Sequence, residues 1–78
     1  MKPIEMIAWF TKDGVANPIR YKLDNLVIKA GHVTSRSEEK LAGNRMIIYR
    51  CQSEFNGELR LFELKYELQS CKWFLFKM

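Results

Sequence analysis

Asn56-Gly57 constrains this chain more than any other feature of its sequence. Both residues tolerate the left-handed conformation that a type I′ turn requires, and that turn joins neighbouring antiparallel strands with the right twist. The flanks agree with this. Over 45–55, Ile47, Tyr49, Cys51 and Phe55 fall on one side and Met46, Ile48, Arg50, Gln52 and Glu54 on the other, while 62–69 alternates without a fault. Leu61, Leu64 and Leu68 also fit a helical face, so 58–69 has a helical alternative. The hairpin turn needs a partner strand, and that decides for β.

The rest of the chain is punctuated in the same way. Residues 4–11 are rich in β-branched and aromatic side chains and lead into the turn Lys12-Asp13-Gly14. After Asn17-Pro18, Ile19, Tyr21 and Leu23 alternate with Arg20, Lys22 and Asp24, which gives a half-buried strand. Pro18 has no amide hydrogen, so it belongs at the first residue of that strand or on an edge. Asp24-Asn25 turns the chain into 26–34, one strand whose alternation slips at Gly31, where a bulge restores the facing. In the polar stretch 35–44, Ser35 and Glu38 fit a capping box and Gly43 fits a helix stop, so a short helical turn over 36–42 competes with plain loop. Ser70-Cys71 then leads into a last strand over 72–78.

Six antiparallel strands in 78 residues form one small domain, and a flat sheet of that length would leave too much apolar surface wet. The expected fold is all-β: a six-stranded meander curled into a small SH3-like barrel, with a two-layer sheet carrying one short helix as the alternative. No apolar run reaches membrane-spanning length and no signal-peptide pattern opens the chain, so it reads as cytoplasmic.

Chemistry is thinly provided for. One histidine, His32, and two separated thiols, Cys51 and Cys71, give at most three scattered soft ligands, and packing explains all three without zinc. Asp13 and Asp24 serve turns, Glu63 and Glu67 lie on the polar side of their strand, and the four glycines form no phosphate loop. The expectation is a protein that is not an enzyme, with no cofactor and no metal.

Two surfaces carry the functional expectation. Several strands are apolar on both faces, and one interior cannot hold both sets, so Trp9, Met46, Ile48, Trp73 and Leu75 form a candidate protein-contact surface, for another protein or for a homodimer. The second is basic. The net charge is +4, and Arg20, Lys22, Lys29, Arg45, Arg50 and Arg60 are interleaved with Tyr21, Tyr49 and Trp9. Cations that follow phosphates beside aromatic rings that stack bases, here Tyr21 or Trp9, are the equipment of small barrels that bind single strands. Cations also alternate with apolar residues in any half-wet sheet, where they blunt edges.

Pro18-Ile19-Arg20-Tyr21, Tyr49-Arg50-Cys51 and the closing Trp73-Phe74 resemble motifs of short bacterial all-β proteins that begin with a hairpin and end in an aromatic strand. The resemblance implies a cytoplasmic accessory protein associated with DNA maintenance and carries over no active site. Together these readings lead to a non-catalytic interaction module that binds a protein partner, with a nucleic-acid-binding barrel as the alternative.

Overall fold

The structure, a computed structural model, describes residues 1–77; Met78, the expected end of the last strand, lies outside the described residues. Its elements are β1 (Lys2–Phe10), β2 (Ala16–Leu23), β3 (Leu26–Lys29), β4 (His32–Leu41), β5 (Asn44–Phe55), β6 (Glu58–Glu67) and β7 (Lys72–Lys77). They form one antiparallel sheet in the order β3-β2-β1-β7-β6-β5-β4. The all-β expectation holds, but the described residues form seven strands and the sheet does not close: β3 and β4 are its two edges.

The Asn56-Gly57 hairpin sets β5 against β6 in unbroken register from Phe55 opposite Glu58 to Met46 opposite Glu67. Phe62, Leu64 and Tyr66 are all buried, so 58–69 is no helix through Glu67. The helical turn over 36–42 is also absent. That stretch is β4 as far as Leu41, followed by a turn in which Ala42 (φ 52°) and Gly43 (φ 83°) are both left-handed. The long apolar β5 exposes a full row of backbone groups on its far side, and β4 satisfies them; this outweighs a local capping preference.

The expected single strand over 26–34 is broken in two. Ala30 is fully buried, its amide donates to the Ile19 carbonyl at 2.9 Å, and the chain then leaves β2 and pairs His32 with Gln52. Two residues therefore carry the chain from one edge of the sheet to the other, which is possible only because the sheet is strongly coiled. Gly31 is required at this crossing: its φ is +72°, and a Cβ there would lie 2.3 Å from the Gln52 carbonyl oxygen.

Coiling is also visible in β1. Lys2, Pro3 and Ile4 pair with β7, whereas Glu5 to Phe10 pair with β2, so β1 turns the corner between the β1–β3 wing and the β4–β7 sheet. The register slips between Ile7 and Ala8, because Ile19 is an extra residue on β2. That bulge corrects the expected facing: Tyr21 is buried and Leu23 half-buried, but Ile19 is exposed. Pro18 stands inside the strand rather than at its start, yet β3 pairs only with Arg20 to Leu23, so no amide hydrogen is missed on that side.

The inner faces of the two halves meet in an aromatic core. The Tyr21 ring lies 5.7 Å from Phe62, and Trp73 stands between Tyr66 at 4.7 Å and Tyr49 at 5.4 Å. The Tyr49 hydroxyl donates to the Ala16 carbonyl at 2.6 Å and ties β5 to the start of β2. Trp73 and Leu75 belong to this core, so neither forms part of an outer contact surface. Tyr21, at 1% exposure, cannot stack on a base.

Candidate functional site

The outer face of the β4–β7 sheet holds much of the second apolar set, and it is covered around Met46 and Ile48, while Leu59, Leu61 and Phe76 on the same face stay exposed. In register, Met46 lies between Glu39 and Glu67, and Ile48 between Ser37 and Lys65. Lys65 is only 8% exposed; its ammonium sits 3.5 Å from Glu39 and 4.1 Å from the Phe76 ring centroid. Long charged side chains lie their aliphatic stems along apolar neighbours in this way. Met46 is accordingly buried although it stands outside the core cluster, and Ile48 is half-buried. Of the five residues expected to contact a protein, Trp9 alone is exposed.

The outer face of the β1–β3 wing is different. Ile7, Arg20 and Lys29 stand side by side across three strands, and Glu5, Lys22 and Val27 form the adjacent row. Strand spacing and rise put the Cα atoms of Arg20, Lys22 and Lys29 within about 8 Å of one another. Ile7 is 65% exposed, Trp9 63% and Val27 65%. The rows frame a shallow depression of about 230 Å³, lined by Glu5, Ile7, Arg20, Lys22 and Val27 together with Met6 and Tyr21.

Charge pairing divides the six expected cations. Arg45 donates to Glu38 at 2.7 Å, Arg50 lies 3.8 Å from Glu63, and Arg60 lies 3.3 Å from Glu58. The Arg45 hydrogen bond holds the Glu38 carboxyl below the usual carboxylate range, so this pair stays ionised on both sides. Among the described residues, Arg20, Lys22 and Lys29 have no acid within ion-pair distance. Arg20, Lys22 and Lys29 therefore converge on this face, with Trp9 two residues beyond Ile7 on the same side of β1, and the other three cations are committed to acids elsewhere.

Ile7 and Val27 complete this surface, although the sequence singled out neither as a contact. The available signal was the apolar residue on each face of β3, where Ile28 turns inward and Val27 outward. His32 and Cys71 are exposed rather than packed, and only Cys51 is buried, where desolvation pushes its thiol up to about 11. Among the described residues no group of three or more His, Cys, Asp and Glu is placed to hold a metal ion, and no helix is long and apolar enough to cross a membrane. Compared with family models, curated proteins and solved structures, the chain matches none.

Proposed function

We propose that this chain is a non-catalytic interaction module whose working surface is the outer face of β1, β2 and β3, and that this face binds a single-stranded nucleic acid. The observation that carries the reading is the convergence of Arg20, Lys22 and Lys29, unpaired among the described residues, on the face whose β1 row also holds the exposed indole of Trp9. Phosphates would follow the cations, one unstacked base would lie on Trp9, and Ile7 and Val27 would exclude water between them. A contact surface built on apolar anchors alone has less support, since Met46, Trp73 and Leu75 are buried.

Tryptophan fluorescence provides the test, because Trp9 is exposed while Trp73 sits in the core. Titrating a single-stranded oligonucleotide at low ionic strength is expected to quench the Trp9 emission, with weaker binding to the matching duplex, whose bases are already stacked. Trp9→Ala is expected to weaken binding about tenfold or more. No binding at low salt, or binding indifferent to Trp9→Ala, would remove the reading. Binding of a polyglutamate peptide in place of the oligonucleotide would transfer the same surface to an acidic protein partner.

A further inference from the structure

The two edges of the sheet are unequal. β3 offers four residues and ends on Lys29, a short charged edge of the kind that resists further pairing. β4 offers ten, nearly all exposed, and hydrogen-bonds along one side only, to β5. Its single irregularity, the register shift between Val33 and Ser35, leaves residues 35–41 regular.

The charge order along β4 selects what can pair with that edge. A second copy approaching antiparallel about a two-fold axis normal to the sheet must place some residue opposite its own copy, because residues that face each other share a face of the sheet. An axis at Arg36 sets two guanidinium groups against each other. An axis at Glu38 opposes two carboxylates and also sets Arg36 against Lys40. At Ser37, between them, Arg36 meets Glu38 of the second copy, Glu38 meets its Arg36, and Ser35 meets its Glu39. The smallest side chain of the three then stands on the axis. Glu38 is already oriented by Arg45, through bonds of 2.7 and 3.1 Å, while Arg36 has no acid partner among the described residues. Opposite charges set directly across from each other favour a register that like charges forbid.

We infer that β4 is a self-association edge: two copies join antiparallel about Ser37 and extend the sheet across the interface. In strand order β4 is the opposite edge from β3, and none of residues 35–41 lines the depression of the proposed nucleic-acid face.

Cysteine cross-linking tests the register directly, since directly opposed residues have Cα atoms about 4.5–5.5 Å apart, within disulfide reach. In a Cys71→Ser background, which leaves only the buried Cys51, Ser37→Cys is expected to form a covalent dimer on mild oxidation. Ser35→Cys, whose copies lie roughly 13 Å apart in this register, is expected to stay monomeric. Arg36→Glu alters an exposed side chain and sets a carboxylate against Glu38 of the second copy; sedimentation should show dimerisation weakened at least about tenfold, with an unchanged circular dichroism spectrum. Equal cross-linking of the two cysteine variants, or sedimentation of the unaltered chain as a monomer up to about 1 mM, would overturn the inference.

Discussion

Two buried tyrosines make opposite demands on the core. Tyr49 donates its hydroxyl to the Ala16 carbonyl at 2.6 Å, whereas the Tyr21 hydroxyl, equally buried, has no partner among the described residues. Removing the first leaves a buried carbonyl unsatisfied, so Tyr49→Phe is expected to cost about 1–2 kcal/mol in a urea titration. Tyr21→Phe removes an uncompensated polar atom and is expected to leave stability unchanged or raise it. Burial also pushes the Tyr21 hydroxyl up to about 12, from an ordinary value of 10.0, and the Cys51 thiol up to about 11, from 9.0. Both groups hold their protons longer when folded, so their contribution is complete below the ordinary values and is lost as pH rises through the folded ones. Stability should therefore decline between about pH 9 and 12 in denaturant midpoints taken across that range. The two thiols separate in the same way: at pH 8 a thiol reagent should modify exposed Cys71 in the native protein and reach Cys51 only after unfolding.

The elements show where local pattern and tertiary demand part company. Ala42 occupies a left-handed turn position that favours asparagine or glycine, so Ala42→Asn is expected to stabilise the protein by about 1 kcal/mol on thermal unfolding. The same residue explains why β4 was illegible. With Ala-Gly in place of Asn-Gly, and with Ser35 and Glu38 at capping spacing, 36–42 reads as a short helical turn or a plain loop; only β5, which needs a neighbour on its far side, makes it a strand. By contrast, Asn56-Gly57 and Asp24-Asn25 state their turns outright, and the hairpins they close are those expected. Gly31 read as a slip in alternation and is in fact a crossing between edges. Gly31→Ala, which sets a methyl group against the Gln52 carbonyl, should destabilise by several kcal/mol, more than an ordinary glycine substitution. In β7, alternation correctly separated Trp73 and Leu75 from Phe74 and Phe76, but the expectation that Trp73 and Leu75 face outward is reversed: they are the inward pair. That choice is made by Tyr49 and Tyr66, whose rings hold Trp73 from other strands.

Across the whole molecule, coiling sorts the cations by wing. Arg45, Arg50 and Arg60 lie on β5 and β6 near carboxylates, while Arg20, Lys22 and Lys29 gather on β2 and β3, on the face that Trp9 shares. One-dimensional interleaving supplied the six names, but the division into paired and unpaired sets depends on which strands become neighbours. The most direct test of the nucleic-acid face is the salt dependence of oligonucleotide binding. Three phosphate contacts predict a log–log slope of about −2 for a single strand. Replacing Arg20, Lys22 and Lys29 together with glutamine should bring the slope close to zero, and the same change at Arg45, Arg50 and Arg60 should leave it intact. A slope that survives the first triple replacement, or one that is lost with the second, would contradict this account.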